Sequence, residues 1–191
     1  MNREMATMLA KARAKYPDDV RGSPYDEALL EVIERARTSG NIGKSDIGAL
    51  MLWKRLNLST RWSASLNNTP DTEVRRLTAA GIALARDTEL PIGEAAGKAR
   101  SALSALPGCR SGAAIASTIL AAGAPERMAV YDKRAASALV SLGLGHPRGN
   151  YRSYMATVDE LAAVLTHQHD RKWSIRDVDK ALFMHAGIVE S

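Results

Sequence analysis

The 191-residue chain has one cysteine, Cys109, and a lone thiol excludes a disulfide framework, a four-thiolate zinc site and a cysteine-ligated iron-sulfur cluster. No apolar run approaches the ~20 residues that span a bilayer. The opening residues MNREMATMLAKARAKYP lack the apolar core of a secretory signal. Aromatic residues make up only 5% of the chain, and there is neither an Asn-Gly or Asp-Gly hairpin signal nor a sustained period-two alternation, so little supports a sheet. Phosphate-loop, dinucleotide-binding and zinc-finger patterns are all missing, which leaves a nucleotide cofactor and a metal without support. The expectation is a cytoplasmic, monomeric protein, nucleoid-associated if bacterial, with residues 1–191 as one unit.

What is present is helical periodicity. Met5, Met8, Leu9 and Ala12 define a first helix that ends before Tyr16, the residue preceding Pro17. Ser23-Pro24 reads as a cap and first turn of a second helix, stopped by Gly40. Ser45-Asp46 opens a third, carrying Trp53 and Lys54, and Thr69-Pro70-Asp71 opens another that reaches about Arg86. A helix from Pro91 runs into Leu106-Pro107-Gly108, and the almost wholly apolar AAIASTILAAG beyond it must be buried on most sides. Asp132 stands at an N-cap, and later helices cover about 151–169 and 174–185. Ser174 with Asp177 has capping-box spacing. The fold class is all-α.

Net charge is +5 with an isoelectric point near 9.5. The excess is concentrated: between Ala95 and Met155 stand Lys98, Arg100, Arg110, Arg127, Lys133, Arg134, Arg148 and Arg152 against only Glu126 and Asp132. A basic segment in an otherwise near-neutral chain fits either a polyanion-binding face or a solvated basic surface.

Within that segment, two helices meet at Leu106-Pro107-Gly108-Cys109-Arg110-Ser111-Gly112. Glycines allow positive φ at the turn, and the free amides opening the second helix can hold a phosphate. An ordinary helical hairpin needs only one glycine, and Arg110 and Ser111 between the two favour the phosphate reading. The order Leu106-Pro107-Gly108, Gly112, Ala116 to Leu120, then Ala129-Val130-Tyr131-Asp132 resembles the helix-hairpin-helix DNA glycosylases of base-excision repair, which include endonuclease III and the oxidised-guanine glycosylases. The spacing of twelve residues from Leu120 to Asp132 also agrees. Three residues separate the hairpin glycines, where the family usually has one.

The resemblance implies a two-lobed helical fold, with the hairpin at about 95–122 inside a lobe from 44 to 128 and the second lobe formed by 1–43 and 131–191. It implies DNA as partner, gripped along its backbone by Pro107, Gly108, Arg110, Ser111 and Gly112, and no cofactor beyond a monovalent cation at the hairpin. It makes Asp132 the catalytic carboxylate, stabilising the positive sugar as the base leaves. Read without the resemblance, Asp132 is a helix cap worth ~1 kcal/mol. Relatives that also nick the strand carry a lysine where this chain has Ala114, so the resemblance implies a monofunctional glycosylase. Its alternative is an inactive hairpin-bearing adaptor that binds DNA.

A flipped base needs planar neighbours. Trp53, Lys54, Tyr131, Tyr151 and Tyr154 are the candidates, although Trp53 lies in an apolar stripe that also suits a core residue. Arg134 suits a phosphate or a carboxylate equally. His167-Gln168-His169 projects its two rings apart and reads as surface. Asp177, Asp179 and Lys180 read as solvated helix-end charges.

Overall fold

The computed structural model describes residues 3–20, 22–145, 150–169 and 171–189. Apart from a two-residue antiparallel ladder pairing β1 (Asp19–Val20) with β2 (Ser23–Pro24), its regular structure is helical, 69% of the described residues. The helices are α1 (Arg3–Ala14), α2 (Glu27–Ser39), α3 (Lys44–Trp53), α4 (Arg61–Asn68) and α5 (Asp71–Arg86), then α6 (Ile92–Ala102), α7 (Ala114–Gly123), α8 (Lys133–Ser141), α9 (Tyr151–Gln168) and α10 (Ile175–Val189). A 3-10 turn, Leu103–Ala105, extends α6 toward the hairpin.

Most helix ends fall where local chemistry places them. Gly40 closes α2 with φ 72, and its N–H donates to the Ala36 carbonyl. The Asp177 carboxylate accepts from the Ser174 N–H at 3.1 Å while the Ser174 hydroxyl accepts from the Asp177 N–H at 3.0 Å, a reciprocal capping box. One expectation is corrected. Ser23-Pro24 belongs to the small ladder and α2 starts at Glu27, because Ser23 pairs with Val20 instead of opening a helix. Helix α4 has no expectation behind it, since RWSASLNN buries only Leu66 and so presents no apolar stripe.

Helix α7 is the buried axis. Every residue from Ile115 to Gly123 is buried, and the hydroxyls of Ser117 and Thr118 are satisfied by the Ala114 carbonyl at 3.0 and 2.7 Å. Around it, α2 packs on α3 and α7, and α5 packs on α6 and α7. Helix α9 lies against α6, where Gly93 and Gly97 admit Arg152 and Ala156 so closely that a Cβ on Gly93 would stand 3.0 Å from the Ala156 methyl. Helix α10 packs on α1, α8 and α9. The buried apolar side chains form one continuous cluster.

Several arginines act as struts inside this packing. Arg86 donates to the carbonyls of Gly123, which ends α7, and of Ala36 near the end of α2, and Arg127 to those of Ala85 in the last turn of α5 and of Leu90 in the loop before α6. Arg100 donates to the Gly112 carbonyl at 3.0 Å, and Lys98 pairs with Glu94. Part of the basic segment is therefore structural, while Arg110, Lys133, Arg134 and Arg152 are exposed; Arg148 lies outside the described residues.

Candidate functional site

The loop from Ala129 to Tyr131 is fixed on both sides before it delivers Asp132. The Tyr151 hydroxyl donates to the Ala129 carbonyl at 2.8 Å and the Tyr154 hydroxyl to the Val130 carbonyl at 3.1 Å. The Tyr131 N–H donates to the Ser117 hydroxyl of α7 at 2.9 Å. With φ −120 and ψ 144, Asp132 then caps α8, its Oδ1 accepting the Arg134 N–H at 2.8 Å. Its other oxygen, Oδ2, accepts from Lys54 Nζ at 2.8 Å.

Lys54 ends α3. Its side chain is 9% exposed and that of Asp132 is 27% exposed, so the pair is largely out of water. Burial alone would raise the Asp132 carboxyl. Lys54, the Arg134 N–H and the Arg134 charge together outweigh it and hold the carboxyl below its ordinary range. Asp132 is thus an ionised carboxylate at neutral pH.

The next residue, Arg55, has φ 55, the left-handed conformation of a Schellman ending: its N–H donates to the Leu52 carbonyl and the Leu56 N–H to the Met51 carbonyl, both at 3.0 Å. A non-glycine residue there is strained by roughly 1–2 kcal/mol. The conformation turns the chain sharply after Lys54 and leaves Arg55 exposed at the mouth of a cavity.

That cavity, about 260 Å³, opens beside the Lys54–Asp132 pair. Phe183, the chain's single phenylalanine, lines it together with Tyr16, Tyr25 and Trp53. Tyr16 meets Tyr25 edge-on at 5.4 Å and Phe183 at 6.4 Å. The floor is ionic. Asp26 accepts from the Tyr16 hydroxyl at 2.7 Å, from Trp53 Nε1 at 3.1 Å and from Arg176 Nη2 at 2.9 and 3.0 Å. Arg176 also pairs with the buried Asp179, and Lys180 reaches Asp26 at 3.3 Å. Deep burial pushes the Asp179 carboxyl up, with Arg176 and Lys54 opposing the shift.

The structure brings Trp53, Lys54, Asp132 and Arg134 to one cavity. Trp53 serves as both wall and strut, half-buried with its indole N–H engaged. The Arg134 guanidinium lies 5.4 Å over the Phe183 ring. Tyr131 is half-buried and meets Tyr154 edge-on at 5.1 Å. Tyr151 and Tyr154 lie outside the cavity, buried at 1% and 0% exposure beneath the loop that carries Asp132. They position that loop and offer no face to a base.

At the hairpin, Gly108 and Gly112 have φ 85 and 77. Arg110, Ser111 and Gly112 are exposed and Pro107 and Gly108 half-buried, whereas Cys109 is sealed inside, its thiol pushed up to about 12 by burial. Trp62 of the unforeseen α4 covers Gly108. Ala114 opens α7.

Sequence reasoning missed Tyr16, Tyr25, Arg176, Asp179 and Phe183 as cavity residues. The solvated reading of Asp179 and Lys180 is corrected, since Asp179 is 3% exposed and the Lys180 side chain 13%. The available signal was the Arg176-x-x-Asp179 spacing, which puts opposite charges on one helical face. His169 packs on Trp173 at 5.7 Å, its ring nitrogen 3.3 Å from the Ala6 carbonyl, and is only partly exposed. Among the described residues no three His, Cys, Asp or Glu side chains gather as a ligand set, and no helix is long and apolar enough to cross a membrane. No family model, curated protein or solved structure matches the chain.

Proposed function

We propose that this chain is a DNA glycosylase of helix-hairpin-helix type, which hydrolyses the N-glycosidic bond of a damaged or modified base. The observation that carries the reading is an ionised, half-buried carboxylate, Asp132, opening onto a small cavity walled by four aromatic rings. A base swung out of the duplex would stack among Tyr16, Tyr25, Trp53 and Phe183. Its sugar would then face Asp132. As the base departs with the bonding electrons, positive charge grows on the deoxyribose, and a fixed carboxylate in a poorly hydrated site stabilises that charge strongly. Water completes the hydrolysis, leaving an abasic site.

Two further features support the reading. The cavity draws Trp53, Lys54 and Arg55 from within residues 44–128 and Tyr16, Tyr25, Asp132 and Arg176 from outside them, an arrangement that suits a cleft between the two lobes the resemblance implies. The 106–113 turn with α6 and α7 supplies exposed Arg110, Ser111 and Gly112 for gripping the DNA backbone.

The test incubates damaged and undamaged DNA with wild type and Asp132→Asn and identifies released bases by mass spectrometry. Asparagine caps helices as well as aspartate does, so the variant keeps α8. Wild type is expected to release a base, and the variant to lose roughly 100-fold or more of that rate while still binding DNA. Undiminished release by Asp132→Asn removes the assignment. Salt-sensitive DNA binding with no release from any substrate points to the adaptor reading.

A further inference from the structure

The charges at the cavity are sorted by place. Asp132 is the carboxylate that the proposed function sets beside the sugar, and Lys54 balances it at 2.8 Å. The arginines stand instead on the rings that would stack the base. The Arg134 guanidinium lies 5.4 Å over Phe183, and that of Arg176 lies 5.4 Å over Tyr16 and 5.5 Å over Trp53. Lys180 Nζ is also 4.4 Å over Tyr16. On the floor, Arg176 and Lys180 are balanced by Asp26 and Asp179. Arg55 and Arg134 remain as the excess: both line the cavity, both are exposed, and neither forms a salt bridge among the described residues. The backbone N–H of Arg134 holds Asp132 Oδ1 at 2.8 Å while its side chain reaches the Phe183 ring of α10, so one residue fixes the carboxylate and carries a cation to the stacking surface.

A carboxylate at the sugar with surplus guanidinium charge at the base makes a field with a direction. An uncharged base takes the C1′–N bonding pair and departs as an anion, leaving the sugar positive, and the field stabilises that separation at both ends. A methylated, positively charged purine departs neutral and gains nothing from the arginines. On entry it meets their charge, on rings already stacked by protein cations, whereas an aromatic cage holds a cationic ligand by offering it those faces. We propose that the cavity takes uncharged bases and rejects positively charged alkylated ones, with Arg134 stabilising the departing base as an anion; this rests on the glycosylase reading above and names its substrate class. The bond between C1′ and the base nitrogen breaks with its pair on the base, the oxygen of water adds to C1′, and the proton that water sheds ends on the base.

The experiment gives the full chain duplexes carrying uracil, hypoxanthine or an oxidised guanine, and duplexes treated with dimethyl sulfate, which carry methylpurinium bases. Release is followed in single turnover at saturating protein, against spontaneous loss from the same DNA. Wild type is expected to release at least one uncharged base and to leave methylpurinium loss at its spontaneous rate. Arg134→Gln is expected to lose on the order of tenfold of the saturated rate on that uncharged base, with Arg134→Lys keeping most of it. Saturation removes any loss of DNA affinity from the comparison, and the wild-type panel needs no variant to fold. Methylpurinium release accelerated as much as that of any uncharged base overturns the proposal and leaves the glycosylase reading standing. An undiminished saturated rate in Arg134→Gln overturns the role of Arg134, and release of no base from any duplex rejects the parent reading as well.

Discussion

Arg176 of α10 reaches Asp26, 150 residues earlier in the chain, with Nη2 2.9 Å from Oδ2 and 3.0 Å from Oδ1, and it joins Asp179 with its other terminal nitrogen. One guanidinium thus ties two buried carboxylates at the floor of the cavity. Replacing it by methionine strands Asp179 and leaves Asp26 to Tyr16, Trp53 and Lys180. Arg176→Met is expected to destabilise the fold by about 3 kcal/mol, the lower end for breaking a buried pair because the Arg176 side chain is 27% exposed. Urea unfolding measures this, and a loss under about 0.5 kcal/mol, the size of a surface substitution, would show the network to be dispensable.

Acid should destabilise the protein through Asp26, Asp132 and Asp177. In each, burial pushes the carboxyl up but ionic and hydrogen-bonded partners win, so the folded value lies below the ordinary 3.8. The folded state then binds these protons less readily than the unfolded chain. Their stabilisation is present above about pH 4 and is lost as pH falls through the folded values. Asp179 acts in the opposite sense, because its raised value gives a contribution that is present in acid and lost as pH rises. Asp159, also raised by burial, acts in the same sense as Asp179, but the three ion-paired carboxylates outweigh them, so unfolding midpoints are expected to drop below about pH 4. A flat profile there contradicts the assignment.

The loop before Asp132 depends on two buried hydroxyls. Tyr151→Phe and Tyr154→Phe each leave a buried carbonyl, Ala129 or Val130, without its donor. Each substitution is expected to cost about 1–3 kcal/mol. Base release should fall as well, since the loop aims the carboxylate. If both variants keep wild-type stability and rate, the loop is held by other contacts.

Three left-handed positions should respond differently to substitution. A Cβ on Gly108 would stand 2.8 Å from Ile115 Cδ1 and 2.9 Å from Trp62 Cε3, whereas one on Gly112 meets nothing within 4 Å. Gly108→Ala therefore combines strain with overpacking, about 2–4 kcal/mol, and Gly112→Ala strain alone, about 1 kcal/mol. Arg55→Gly should instead gain about 0.5 kcal/mol, the relief of strain less the entropy of a freer unfolded chain. Thermal and urea midpoints rank the three, and equal losses at Gly108 and Gly112 would refute the packing account.

The elements that could be read from the sequence are those decided within one turn of chain. Gly40 ends α2 because its own backbone takes positive φ, Pro70-Asp71 begins α5, and Ser174 and Asp177 cap α10 at a spacing of three residues. The burial of α7 follows from its composition, and the capping role of Asp132 from its residue type and place. Such signals need no partner from elsewhere in the chain. Helix α4 escaped because a single buried leucine makes no periodic stripe.

What only the tertiary structure decided is which side chains meet. Lys54 and Asp132 are 78 residues apart, and no periodicity encodes that α3 ends where α8 begins in space. Tyr151 and Tyr154, candidates from the sequence for stacking a base, became props beneath the loop, buried with their hydroxyls on the Ala129 and Val130 carbonyls. Asp179 is held inside by its helix partner Arg176, which also binds the distant Asp26. Helix propensity and capping act over a few residues, whereas burial and ion pairing depend on how whole helices cross, so the chain's own pattern specifies its helices and their packing alone assembles the cavity.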